Sequence, residues 1–124
     1  MAYKYDDENI FAKILRGEIP NDTVLENEYA LAFRDINPQR PHHVLIIPKG
    51  RYISFDHFAK EAPNDEIIGY IQAIGAVCDF LNVSIDNGDG FRMIANSGEH
   101  GVQEVPHLHV HILGGSSCGR MIQS

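Results

Sequence analysis

His107-Leu108-His109-Val110-His111-Ile112-Leu113 is the stretch on which the reading of this chain turns. Three histidines alternate with apolar residues, and Gly114-Gly115 closes the run. Strict alternation over seven residues predicts a half-buried β-strand. Successive side chains of a strand point to opposite faces. His107, His109 and His111 are therefore expected on one face, with Leu108, Val110 and Ile112 in the core. A merely solvated strand has no need of three imidazoles in register. Each can act as acid, base, nucleophile or metal ligand near neutral pH, so the chemistry is expected on this row.

Outward from the row, Asn96-Ser97-Gly98-Glu99-His100-Gly101 reads as a polar loop and Phe91 to Ala95 as a strand, with a further loop over Asp86-Asn87-Gly88-Asp89-Gly90. The spacing changes between about Asn64 and Leu81. There Ile67, Ile68, Ile71, Ile74, Val77, Cys78 and Leu81 form a broad stripe of helical period. His43-Val44-Leu45-Ile46-Ile47 is an apolar strand closed by Pro48, preceded by a turn over Asn37-Pro38-Gln39-Arg40-Pro41. Thr23 to Glu26 and Tyr29 to Arg34 read as two strands joined across Asn27-Glu28. Asn9 can cap a short helix that Gly17 ends and Pro20 keeps from continuing. Residues 1–8 are expected to be flexible. Strands and helices that do not alternate regularly predict an α+β domain with a mainly antiparallel sheet, a short N-terminal helix and one long helix.

The chain has 124 residues, enough for one domain and one core. Its net charge of -7 argues against general binding of nucleic acid or anionic membrane, both of which favour a basic footprint. A small anion can still be held by histidines and backbone N–H groups. Cys78 and Cys118 are the only cysteines and do not make a disulfide framework. A reducing cytoplasm is the expected location. Residues 1–8 carry no apolar signal core, and no apolar run nears the roughly 20 residues of a membrane span.

The histidine row admits a metal site, a nucleophilic site or a plain histidine-rich surface. Side chains two apart on a strand are separated by about 6.7 Å, and those four apart by about 13 Å. Zinc holds its nitrogens at about 2.0–2.1 Å, so three such histidines cannot converge on one ion. Two of them could, with His43 as a third ligand. Nucleophilic catalysis suits the row better, and no metal or other cofactor is expected. A neutral imidazole attacks phosphorus when one nitrogen is held protonated and the other is free. Neighbours can bind developing charge or protonate a leaving group. His109, flanked on both sides, is the natural nucleophile.

The pattern His-φ-His-φ-His-φ-φ (φ, apolar) resembles the signature of the histidine triad (HIT) family of nucleotide hydrolases and transferases. Further segments resemble the same family. Asn9-Ile10-Phe11-Ala12-Lys13-Ile14-Leu15-Arg16-Gly17-Glu18-Ile19-Pro20 looks like its N-terminal helix, and Leu31-Ala32-Phe33-Arg34-Asp35-Ile36-Asn37-Pro38-Gln39 and His43-Val44-Leu45-Ile46-Ile47-Pro48-Lys49 look like its central strands. Arg92-Met93-Ile94-Ala95-Asn96 and Gly101-Val102-Gln103-Glu104 complete the match. The resemblance is closest to the branch of histidine triad nucleotide-binding proteins. It implies a HIT-like fold over 9–115, a C-terminal tail over 116–124, and a homodimer.

The resemblance also implies roles. His109 would attack the α-phosphate of a purine nucleotide such as an AMP derivative. His107 and His111 would orient it and bind phosphate oxygens, with His43 supporting the site. Asn96, the backbone of Val102, and Glu104 would surround the phosphate. Asp35 would accept hydrogen bonds from ribose hydroxyls, and Ile10, Phe11, Ile14 and Ile36 would hold the purine. The implied activity is that of a nucleoside phosphoramidase passing through a nucleotidyl-histidine. The alternatives are a dinucleoside polyphosphate hydrolase and a nucleotide-binding scaffold with incidental turnover.

Three departures stand out. Asn9, Ala12 and Arg51 occupy positions where many bacterial relatives carry two cysteines and a histidine for structural zinc. Glu104 stands where phosphoramidase members have a serine, and a carboxylate at neutral pH accepts rather than donates. The tail Ser116-Ser117-Cys118-Gly119-Arg120-Met121 lacks the Trp-Pro-Pro-Gly ending of that branch.

Overall fold

The computed structural model describes residues 3–121. Among these described residues, five strands form one antiparallel sheet in the order β1-β2-β3-β5-β4. They are β1 (Thr23–Glu26), β2 (Ala30–Arg34), β3 (His42–Pro48), β4 (Phe91–Ala95) and β5 (Val110–Gly114). The helices are α1 (Ile10–Leu15), α2 (Phe55–Glu61) and α3 (Asn64–Phe80). The α+β class with an antiparallel sheet is as the sequence predicts.

The period-two pattern of the strands divides the interior in two. Ala30, Ala32, Val44, Ile46, Val110 and Ile112 point to one face and pack with Tyr70, Ala73, Val77 and Cys78 of α3. Leu31, Phe33, Leu45 and Ile47 point to the other face and meet Phe11 and Ile14 of α1. Tyr70 is fully buried, and its hydroxyl donates to the carbonyl of Ile46 at 2.7 Å. That bond satisfies the one polar atom that α3 carries deep into the core.

α1 begins where predicted. The Asn9 side chain accepts from the N–H of Ala12 at 2.9 Å, which satisfies one of the free donors of the first turn. α3 also lies where predicted, but its buried stripe is rotated. Tyr70, Ala73, Ile74, Val77, Cys78 and Leu81 face the sheet, whereas Ile68 and Ile71 are each 55% exposed. The helix carries more apolar residues than one face can hold, and Tyr70 and Ala73 take the inner positions.

Two further corrections concern the strands and loops. The helix α2 has no counterpart in the sequence reading. Its cap is Ser54, and Phe58 is buried beneath it. The histidine strand starts at Val110, not His107. The neighbouring strands supply no rungs beyond Ile46↔Val110 and Ala95↔Val110. Leu108 N–H instead donates to Tyr52 O at 2.8 Å, outside the ladder.

Residues 3–8, expected to be flexible, lie against the body through Tyr3, Tyr5 and Asp7. In the tail, Arg92 donates to the carbonyls of Cys118, Gly119 and Arg120.

Candidate active site

One face of β3 and β5 opens into a cavity of about 780 Å³ beside α1. His109, His111 and His43 line it, as do Asp35, Asn96, Val102, Glu104, Ile10, Phe11, Ile14 and Ile36. These are all of the site residues expected from sequence except His107.

His107 is fully buried behind the cavity. Its Nε2 lies 2.9 Å from the carbonyl of Pro48, and its Nδ1 is 2.5 Å from the hydroxyl of Tyr5. A carbonyl can only accept, so Nε2 carries the proton and Nδ1 accepts from Tyr5. Both nitrogens are therefore occupied, and neither reaches the cavity. The expectation that His107 binds phosphate oxygens is not met by this placement.

The same reasoning fixes the other rings. His109 Nδ1 lies 2.8 Å from the carbonyl of His107. It must donate there, which leaves the Nε2 lone pair without a partner among the described residues. Gln39 N–H donates to His43 Nδ1 at 3.1 Å, so His43 carries its proton on Nε2. That proton points to His111 Nδ1 at 3.0 Å, with Asp35 Oδ2 at 3.4 Å as a second acceptor. His111 is then protonated on Nε2. One histidine thus carries a free lone pair and its neighbour a free N–H donor, with ring centroids 5.1 Å apart.

These tautomers require neutral rings. Burial pushes His107 and His111 down to about 4, and in His111 the neighbouring His109 and His43 add to the effect. Burial also lowers His109 and His43, against the opposing pull of nearby acceptors and carboxylates. At neutral pH all four are uncharged.

Asp35 serves the turn as well as the site. Its Oδ1 accepts from Asn37 N–H at 2.8 Å, and its own N–H donates to His43 O. Asn96 closes its loop by donating to Gly101 O at 2.7 Å. A Cβ on Gly101 would lie 2.5 Å from Ser97 O, so this close approach needs glycine. Val102 follows with φ of 56°, a conformation that a β-branched residue rarely adopts. Its N–H is already engaged with Glu99 O at 3.0 Å. Ile36 is wholly exposed and Ile10 is 46% exposed, which leaves apolar surface at the rim.

Asp35, His43 and His111 offer ligand atoms within 4.8 Å of one another, the donor set of a two-histidine, one-carboxylate metal site. A proton shared along His43–His111 already satisfies these atoms, and a cation would have to replace it. Sequence reasoning missed Tyr5, Pro48 and Gln39. Two of them act through backbone atoms, which side-chain chemistry in the sequence does not reveal.

Comparison with known proteins agrees with this architecture. The HIT domain family matches residues 16–118. An uncharacterized 13.2 kDa HIT-like protein of Azospirillum brasilense is 50% identical over 98% of both chains. The purine nucleoside phosphoramidase of Escherichia coli strain K12 is 40% identical over 94% of both. The solved structure of a histidine triad protein from Clostridium difficile superposes with a TM-score of 0.79, at 36% identity, over 94% of this chain and 98% of that one. The three histidines leading into β5, the cavity beside α1 and these likenesses together show that the chain belongs to the HIT domain family.

Proposed function

We propose that the protein is a hydrolase of purine nucleoside monophosphate derivatives, with phosphoramidates as its simplest substrates. The observation that carries this reading is the unpartnered Nε2 lone pair of His109 on the floor of an apolar-rimmed cavity. Nε2 attacks the α-phosphorus. The P–N bond to the amine breaks, and the amine leaves with a proton drawn from water. The His111 Nε2–H donates to a phosphate oxygen as charge develops there. His109 Nδ1–H stays on the His107 carbonyl and disperses the positive charge of the adduct. Water then cleaves the P–Nε2 bond, releasing the nucleoside monophosphate and restoring the ring. The exposed Ile36 and Ile10, with Phe11 and Ile14, would cover the purine, and Asp35 would accept from the ribose hydroxyls.

The charge around the cavity favours an amine leaving group over a polyphosphate. Asp22, Asp35 and Glu104 line it, and Arg34 is the one Lys or Arg among its described lining residues. Arg34 is itself 3.8 Å from Asp22. A dinucleoside polyphosphate would bring several negative charges to a wall with no free cation. Comparing kcat/KM for an adenosine phosphoramidate and a diadenosine polyphosphate side by side tests this. Preference for the polyphosphate would reject the phosphoramidase reading. Failure of both substrates would favour a binding module.

The same proposal includes a homodimer. β4 is an edge strand and exposes Phe91 and Met93, and α3 exposes Ile68 and Ile71. Apolar surface on an unpaired edge invites a partner. Sedimentation equilibrium at micromolar concentration should give twice the chain mass, and a monomer would reject it.

A further inference from the structure

The triad is held from behind by a segment that lies about a hundred residues away in sequence. Tyr5 reaches His107 across 102 positions, and its hydroxyl meets Nδ1 at 2.5 Å. The ring is fixed independently of that bond. The Arg51 guanidinium lies 5.2 Å from the centre of the Tyr5 ring. Arg51 also makes a two-point pair with Asp7, both contacts at 2.9 Å. The Tyr5 ring stands edge-on to His107, with centroids 5.5 Å apart. Tyr5 is therefore pre-oriented; Asn9 also hydrogen-bonds its hydroxyl, and the task of the hydroxyl proton is the bond to His107.

That task follows from the chemistry of His107. With Nε2–H on Pro48 O, Nδ1 is a buried acceptor that only a donor can satisfy. Without the Tyr5 hydroxyl, the ring would gain by changing tautomer or rotating, and either movement breaks the Pro48 bond. The Pro48 bond anchors residue 107 to β3, and the carbonyl of that same residue holds the Nδ1 proton of His109. We infer that Tyr5 is a positioning residue for the nucleophile: its hydroxyl locks the His107 tautomer and, through the His107 carbonyl, keeps the His109 Nε2 lone pair free and aimed into the cavity. The inference rests on His109 being the nucleophile of the proposed reaction. Tyr5 itself does not touch substrate.

The test is Tyr5→Phe in the full chain, which keeps the aromatic ring and both of its ring contacts. Nitrogen-15 NMR of the imidazoles needs no substrate. The His107 Nδ1 resonance should move toward that of a free imine nitrogen, and the His109 Nδ1–H should exchange faster with water. In turnover, kcat should fall about tenfold with KM changed by less than roughly twofold, because the base and ribose surfaces are untouched. Asp7→Asn is the companion variant, loosening the segment while leaving the hydroxyl in place. At a comparable loss in Tm it should lower kcat much less. Unchanged His107 and His109 resonances in Tyr5→Phe would overturn the assignment, as would equal kcat losses in the two variants. If the wild type turns over no nucleotide yet Tyr5→Phe shifts both rings, the hydrolase reading falls and the lock on His107 stands.

Discussion

The two faces of the sheet are built from the same strands and have opposite characters. On the α3 face, Val44, Ile46, Val110 and Ile112 are buried with Tyr70, Ala73 and Val77, and the packing is closed. On the α1 face, the intervening residues are His43, Leu45, His109 and His111, and a cavity of about 780 Å³ remains. One residue along a strand separates a core position from a site position. The closed face supplies rigidity, and the open face uses it to hold imidazoles at hydrogen-bond distances.

The sharpest way to break this division is His109→Ala. Its side chain belongs to the open face, so kcat should fall by at least about 10³-fold while Tm changes little. Rapid quench with nucleotide labelled at the α-phosphate should trap an acid-labile adduct on the wild type and none on the variant. Near wild-type turnover would mean that the free Nε2 is not the nucleophile.

The converse variant is Ile112→Ala, on a fully buried side chain of the closed face. Removing that volume should cost about 2–5 kcal/mol of stability by denaturant unfolding. At temperatures where the variant stays folded, KM should be close to wild type. A large change in KM without a loss of stability would show that the faces are not independent.

Acid should penalise the buried support behind the open face first. His107 lies near 4 in the folded chain against an ordinary 6.5. The unfolded chain therefore binds the extra proton between those values. Stability is complete above about 6.5 and declines as pH falls toward about 4, by up to about 3 kcal/mol from His107 alone. In His107→Gln the decline across this window should be smaller. Equal slopes would show that His107 is not buried in its neutral form.

The smallest expected effect is at the rim. Asp35→Ala should weaken ribose nucleotides more than their 2′,3′-dideoxy analogues, by roughly 10- to 150-fold for a charged hydrogen bond of about 1.5–3 kcal/mol. Titration calorimetry with both ligands separates this from any loss of the turn that Asp35 also caps. Equal losses would leave Asp35 with the turn alone.

Particular residues show how far the sequence could be read. The parity of Leu108, Val110 and Ile112 against the histidines was legible, because side-chain alternation is a property of extended backbone. Helix α3 was legible in extent but not in rotation. Ile68 and Ile71 fit the period as well as Tyr70 and Ala73 do, and only contact with the sheet selects between them. Helix α2 was not legible, since Ser54, Phe55 and Phe58 are too few to stand out. Among the site residues, cavity placement of Asp35, Asn96 and Glu104 was reached through family resemblance. The placement of His107 behind the cavity was not reached at all.

The sequence by itself determined the sheet-forming pattern, the clustering of His109 and His111 on one side, and the apolar core on the other. These follow from backbone geometry and hydrophobic burial, which act locally and repeat along the chain. Only the tertiary structure decided which nitrogen of His107 and of His111 carries the proton. The groups that fix the proton of His107 are the Pro48 carbonyl, 59 positions away, and the Tyr5 hydroxyl, 102 positions away. His111 is fixed through His43, 68 positions away. A tautomer is set by whichever donors and acceptors the fold brings within about 3 Å, and such partners have no signature in the sequence around the ring they control.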